Sequence, residues 1–215
     1  MQNSPSTATN LEALNERLAP LHARERIAAA YAEFGEDLIL TTSFGPTAGV
    51  MLKLATYAYP NIRVVTIRHG YESAETLEIA GHFTREFGLN LHVYEAPKLL
   101  IPDEDDPAFE SFRHKVKIEP FQKALAVEQP RAWLSGVMSE ETEERKSFDY
   151  AMFRDGLVVM YPILDWTETD AEEFGLAYGL PSSGNYYDPT KGLSQKKECG
   201  LHLGNLGSSW TSSGL

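Results

Sequence analysis

The sequence predicts an α/β protein: a three-layer fold with an open, twisted, mostly parallel sheet and helices on both faces. Two observations carry this. Short apolar runs of strand length alternate with stretches of helical periodicity, and each early run ends in a turn rich in glycine or hydroxyls. Strands separated by helices cannot pair as hairpins. They lie parallel, through right-handed crossovers that place helices against the sheet. The composition, 42% hydrophobic and 23% charged over 215 residues, suits one well-buried globular domain.

The elements follow in order. Residues 11–34 carry apolar positions at helical spacing (Leu11, Leu14, Leu18, then Ile27, Ala30, Tyr31, Phe34), and Pro20 divides them into two helices. Asp37 to Thr42 reads as a buried strand, Ser43 to Thr47 as a turn and Ala48 to Tyr57 as a helix. Arg63 to Ile67 is the second strand, followed by a turn at His69-Gly70 and a helix from Ser73 to Phe87 with Gly88 at its C-terminal end. Leu91 to Tyr94 is the third strand. Residues 101–107 form an acidic, solvated loop. Glu119 to Ala126 is helical, Ala132 to Gly136 is a strand running into a glycine turn, and Val158 to Tyr161 is another strand. Ser139 to Asp149 is a charged loop or short helix. Thr169 to Tyr178 makes a last helix, capped by Thr167 or Thr169. From Leu180 onward Gly, Ser and Pro dominate. The expected organisation is a helical segment over 1–35, an α/β nucleotide-binding unit over 36–180 and a tail over 181–215 within the same domain.

Charge and hydropathy exclude several classes. Acidic residues outnumber basic ones 31 to 19, a net charge of −12, so no broad polyanion-binding surface and no nucleic-acid partner is expected. No apolar run approaches the roughly 20 residues that span a bilayer. Met1 to Pro5 lacks the basic and apolar regions of a signal peptide, so the expected location is cytoplasmic, without a membrane partner.

Cys199 is the single cysteine, so neither an internal disulfide nor a multi-cysteine metal or cluster site can form within the chain. It is either an incidental buried thiol or a lone nucleophile. Lys196 and Lys197 precede it and His202 follows, and neighbouring positive charge favours the reactive thiolate. A charged, glycine-containing stretch is also a poor place for a core residue, which tips the reading toward chemistry.

Open parallel sheets bind ligands beyond the C-terminal ends of their strands. Three turns emerge there. Thr41-Thr42-Ser43-Phe44-Gly45-Pro46-Thr47 offers hydroxyls, a glycine and the N-terminus of a helix, which could hold a phosphate, although such a stretch is usually only a helix cap. Ile67-Arg68-His69-Gly70-Tyr71 brings a cation and an aromatic to the same edge. Ser135-Gly136-Val137-Met138-Ser139-Glu140-Glu141 leads to Arg145 and Lys146.

Residues 36–202 resemble the sulfonucleotide reductases, the phosphoadenylyl-sulfate (PAPS) reductase family. The resemblance rests on Thr42-Ser43-Phe44-Gly45, Gly70-Tyr71 with Glu75-Thr76, Lys117-Ile118-Glu119-Pro120, Gly136 with Arg145, Pro162-Ile163-Leu164-Asp165-Trp166 and, most specifically, Glu198-Cys199-Gly200-Leu201-His202. It implies an adenine-nucleotide α-hydrolase-like fold, related to the PP-loop proteins. The lack of further cysteines places the chain beside the cluster-free branch, with no tightly bound cofactor and no iron–sulfur cluster.

The resemblance further implies that Cys199 attacks the sulfur of PAPS to give an S-sulfocysteine and adenosine 3′,5′-bisphosphate. A thioredoxin or glutaredoxin then frees sulfite. His202 is expected to assist near the thiol. Ser43, Phe44 and Gly45 are expected to hold phosphate or adenosine groups, together with Arg68, Gly70, Tyr71 and Gly136. Lys117, Arg145, Lys196 and Lys197 are expected to offset the anionic end. A homodimer stays open, and the tail is expected to close over bound nucleotide. The chain departs from the family where Arg68-His69 stands for the usual Asp-Thr and where Met138 to Glu141 replaces an arginine-rich stretch. These departures keep APS, another adenylylated or sulfur substrate, and a non-catalytic nucleotide binder open as alternatives.

Overall fold

The computed structural model describes residues 10–154, 156–184 and 186–192. Two helices open the described chain, α1 (Leu11–Leu18) and α2 (Ala23–Phe34), separated around Pro20 as the sequence predicts. Asn10 caps α1 by accepting from the Ala13 N–H at 3.2 Å. Next come β1 (Leu38–Thr41), α3 (Ala48–Ala58), β2 (Arg63–Arg68), α4 (Ala74–Glu86) and β3 (Asn90–Glu95). Ser73 caps α4 through its hydroxyl. Gly88, at φ +57°, takes the left-handed turn that ends the segment and that a side chain would disfavour.

The middle of the chain corrects the sequence reading. Helix does not begin at Glu119 but at Ala108: α5 (Ala108–Arg113) runs through a π turn (His114–Ile118) directly into α6 (Glu119–Glu128). Pro120 sits in the first turn of α6, inside this continuous helical path. A proline there lacks the N–H of an ordinary helix bond and its ring crowds the preceding turn, and the wider π turn accommodates it.

After β4 (Ala132–Leu134), residues 139–149 hold two single 3₁₀ turns. A strand absent from the sequence reading then follows. β5 (Ala151–Arg154) pairs antiparallel with β6 (Leu157–Met160) at the sheet edge. Helix α7 (Glu168–Ala177) is capped by Thr167, whose hydroxyl accepts from the Asp170 N–H at 3.1 Å.

The six strands are ordered β3-β2-β1-β4-β6-β5, all parallel except β5. Their side chains alternate strictly between two cores, as strands covered on both faces must. Leu38, Leu40, Val64, Ala132, Leu134, Val158 and Met160 pack into the larger core with α1 to α4 and α7. Ile39, Val65, Trp133 and Val159 pack on the other face against Phe121, Ala124 and Leu125 of α6. The sheet grows from β1 toward β3, then returns to place β4 on the other side of β1. Crossovers of one hand put the intervening helix on the opposite face when that direction reverses, which is where α6 lies.

The Pro162–Trp166 motif has a structural task. Arg26, 2% exposed, donates to the Leu18 and Pro162 carbonyls and forks onto Asp165 at 2.6 and 2.9 Å, with its guanidinium 3.8 Å from the Tyr150 ring centroid. This fastens the N-terminal helices to the turn after β6. Burial raises the Asp165 pKa, but the Arg26 guanidinium outweighs it and holds the carboxyl below the usual range.

Candidate active site

The reversal of strand order lies between β1 and β4, and the turns leaving both open into a cleft of about 710 Å³. Its floor is the Thr42–Thr47 loop entering α3. Thr42 Oγ1 accepts from the Phe44 N–H at 3.0 Å, and Phe44 itself takes a left-handed conformation (φ +52°), which is uncommon outside glycine. The strain is retained because the Phe44 ring is buried in the main core, leaving the loop backbone and the Ser43 hydroxyl toward the cleft. Opposite, Ser135-Gly136-Val137 leaves β4. A Cβ on Gly136 would lie 2.8 Å from Met51 Cγ, so only glycine lets α3 approach this turn so closely.

Eight of the substrate-binding candidates within the described residues line this one cleft: Ser43, Phe44, Gly45, Arg68, Gly70, Lys117, Gly136 and Arg145. Tyr71 is not part of the lining. Its hydroxyl donates to the Leu99 carbonyl and accepts from the Leu99 N–H at 2.7 Å, and its ring packs beside Phe109, Phe112 and Val116. Tyr71 therefore ties the segment after β3 to α5 and the π turn. Cys199, His202, Lys196 and Lys197 lie outside the described residues.

Three cations of the cleft, Lys117, Arg145 and Arg68, are paired with carboxylates. Lys117, carried into the cleft by the π turn, forms an ion pair with Asp188, whose side chain is 1% exposed. Burial alone would raise the Asp188 pKa. The Lys117 ammonium and the Thr190 N–H and hydroxyl, which bond Asp188 at 2.9 and 2.6 Å, outweigh burial and hold it far below the carboxylate range. Arg145 pairs with Glu141, which also accepts from the Met138 N–H at 2.9 Å. The two acids that depart from the family pattern thus have partners: Glu141 holds Arg145, and Glu140 accepts from the Glu168 N–H at the start of α7. Arg68 is half-exposed and reaches Glu95 at 3.5 Å.

Residues 181–184 and 186–192 lie at the cleft mouth. Ser182 donates to the Pro46 carbonyl at 3.1 Å, and the Tyr186 hydroxyl donates to Ser43 Oγ at 3.0 Å. Tyr186, Asp188 and Lys191 line the cleft. Sequence reasoning singled out none of the three, since their signal is tertiary contact alone. It also passed over His69, which is 8% exposed and lines the cleft beside Lys117.

The arrangement offers hydroxyls, backbone N–H groups and paired cations around one cleft, which suits a nucleotide carrying several anionic groups. Residues 37–187 match the model of the phosphoadenosine phosphosulfate reductase domain. The chain belongs to this family. It is 31% identical to a phosphoadenosine 5′-phosphosulfate reductase from Synechococcus sp., over 93% of this chain and 100% of that protein. It is 29% identical to one from Photobacterium profundum, over 89% and 88%.

Among solved structures, the PAPS reductase of Candida auris in its phosphate complex superposes with a TM-score of 0.67 at 18% identity. It covers 85% of this chain and 90% of its own. The Candida glabrata FMN adenylyltransferase with FMN and an ATP analogue gives 0.55 at 14% identity, over 81% and 60%. At those identities the structural likenesses establish the shared fold, that of the adenine-nucleotide α-hydrolase-like proteins. Among the described residues no helix is long and apolar enough to cross a membrane, and no group of three or more His, Cys, Asp or Glu could hold a metal ion.

Proposed function

We propose that this reductase-family chain converts 3′-phosphoadenylyl sulfate to sulfite and adenosine 3′,5′-bisphosphate, with Cys199 as nucleophile. The observation that carries the reading is the joining of a family match over residues 37–187 to a cleft at the sheet's switch point, walled by Ser43, Lys117 and Arg145. The Cys199 thiolate attacks the sulfonate sulfur. An S–S bond forms, the S–O bond to the phosphate breaks, and the nucleotide leaves with the electron pair. A thiolate of a dithiol protein of the thioredoxin or glutaredoxin class then attacks Cys199 Sγ and expels sulfite, and its second thiol resolves the mixed disulfide. The two thiols of that partner supply both electrons, so no resident cofactor is called for.

Reach supports Cys199 in this role. Lys191 lines the cleft, and the chain from Gly192 to Cys199 spans at most about 25 Å. Charge supports the nucleotide: the leaving group is an anion, and Lys117 and Arg145 offset it through charge-assisted contacts. Arg68 and His69, standing where the family has an acid and a threonine, are the departure behind the second reading, in which APS or another adenylylated compound is the substrate.

Intact-protein mass spectrometry after incubation with PAPS and, separately, with APS tests both. The expected result is one added SO₃ on Cys199 from PAPS, removed by thioredoxin. Cys199→Ser should give no adduct and lose several orders of magnitude in sulfite release, with nucleotide affinity kept. Loading by APS at an equal rate would transfer the assignment to the second reading. Sulfite release by Cys199→Ser near the wild-type rate would end the proposed mechanism.

A further inference from the structure

His69 is a polar side chain buried at the cleft, and only one of its two ring nitrogens is engaged among the described residues. It follows Arg68 at the C-terminal end of β2, is 8% exposed and lines the cleft. Its turn is held by Glu72, whose carboxylate accepts from the N–H groups of His69 and Gly70 at 2.8 and 2.9 Å. The Tyr71 N–H in turn donates to His69 Nδ1 at 3.2 Å. A ring nitrogen that accepts a hydrogen bond carries no proton, so in the neutral imidazole the proton sits on Nε2. Among the described residues Nε2 has no hydrogen-bond partner.

The charged groups facing the ring come from three segments: Glu72 from its own turn, with Oε1 3.4 Å from Nδ1; Lys117 from the π turn; and Asp188 from the segment at the cleft mouth. Burial, helped by Lys117, lowers the His69 pKa and outweighs the opposing pull of Glu72 and Asp188. The side chain is therefore a neutral N–H donor, with its acceptor face engaged by its own turn and its donor nitrogen unspent.

We propose that His69 is a substrate-contacting residue that donates Nε2–H to an oxyanion oxygen of the bound sulfonucleotide. The inference rests on the function proposed above and deepens it by naming a contact specific to this chain. The chemistry of the wall selects an oxyanion. Lys117 and Arg145 line the same cleft, so the anionic end of a ligand is drawn there, yet each is already held by a carboxylate. A buried wall with that many ion pairs gains anion affinity from a neutral donor without the desolvation cost of a further cation. A fixed tautomer also aims the donor before the ligand arrives.

Calorimetric titration of adenosine 3′,5′-bisphosphate into the full chain, His69→Leu and His69→Gln, at one pH and salt concentration, tests this. Glutamine keeps an N–H donor at similar reach, and leucine keeps only bulk. The expected result is about a 10- to 30-fold loss of affinity in His69→Leu, with His69→Gln within about threefold of wild type. In imidazole-¹⁵N-labelled wild-type protein, the His69 Nε2 signal, assigned by its absence from the Gln variant, should shift on adding nucleotide and keep the neutral pattern.

A purely structural role would lower the stability of both variants, leave affinity unchanged and leave that signal unmoved, which would overturn the proposal. Should His69→Leu fail to fold, the Gln affinity and the wild-type spectra decide. If wild type does not bind the nucleotide, the PAPS reading falls and this contact falls with it. If wild type binds and His69→Leu matches it, only His69 is eliminated.

Discussion

Lys117 reaches the cleft from the π turn and is paired there with Asp188. Its residue type, beside Pro120 in a family-like motif, marked it as a candidate anion ligand. Its partner Asp188 lies 71 positions away and had no local signal. The pairing changes the expected mutational outcome. Lys117→Ala would strand a buried carboxylate and destabilise the fold as well as weaken binding, so loss of activity in it would be ambiguous. Asp188→Asn is the cleaner probe. Asparagine keeps an oxygen to accept from Thr190 but removes a negative charge from the cleft. Affinity for adenosine 3′,5′-bisphosphate should rise roughly fivefold, about 1 kcal/mol, for one charge several ångströms away in a partly screened site. Stability should fall by about 2 kcal/mol as the nearly buried Lys117 loses its partner. Titration calorimetry paired with urea unfolding reads both, and unchanged or weaker affinity in a folded variant would show that Asp188 does not compete with the ligand.

Among the elements, the central strands were legible as short continuous apolar runs, because the two cores bury both of their faces, and the helices as runs of period 3.6 with one face buried. The two misses had signals of other kinds. β5 is a short edge strand whose residues Met152 and Phe153 are only partly covered, so its hydrophobic pattern is weak, but residues 155–156 read Asp-Gly, a strong two-residue hairpin signal. In α5, Phe109, Phe112 and Val116 already lie at helical spacing and form a small core of their own beneath Tyr71. Their segment follows an acidic Pro-containing loop, which masked the start.

The β5 edge is also protected locally. The Asn15 side chain of α1 donates to the Ala151 carbonyl at 2.9 Å and accepts from its N–H at 2.7 Å, imitating a neighbouring strand. Asn15→Ala should cost about 1–2 kcal/mol in thermal or urea unfolding and increase self-association in sedimentation velocity, because both edge groups lose their partner. Across the cleft, Gly136→Ala should cost about 1–3 kcal/mol by forcing Met51 to move. Combined with Met51→Ala, the loss should be smaller than the sum of the two, since the second change makes room for the first. Strict additivity would mean that the close approach of α3 does not set the glycine.

For the whole molecule, the reversal of strand order fixes the cleft at one end of the sheet, while a separate charge network closes the other. Glu128, at the end of α6 with its side chain 4% exposed, accepts from Arg63 at 2.9 Å and from the Tyr94 hydroxyl at 2.6 Å, and meets His92 Nδ1 at 2.6 Å. Burial raises its pKa, but these donors together outweigh it and leave the carboxyl below its ordinary range. Burial and the same carboxylate push Tyr94 up to about 12. With Asp188 in the cleft and Asp165 on Arg26, three carboxylates are held more acidic in the folded chain than in the unfolded one.

The sign of the pH dependence follows. A group with a depressed folded pKa contributes its full stabilisation above the unfolded value, near 4, and loses it as pH falls toward the folded value, because the unfolded chain takes up the proton first. Stability should therefore be level from about pH 7 to 5 as far as these groups are concerned. Below about pH 4.5 it should drop, by up to about 1.4 kcal/mol per pH unit for each group fully coupled to folding. Glu128 and Asp188, the most buried, should dominate, and Asp165, about half exposed, should contribute less through solvent screening. Urea midpoints measured at pH 7, 5, 4 and 3.5 check this: the wild-type decline should be steep, and Glu128→Gln should start less stable at pH 7 and decline less steeply. A wild-type profile flat to pH 3.5 would mean that neither the base network nor the Asp188 pair is coupled to folding.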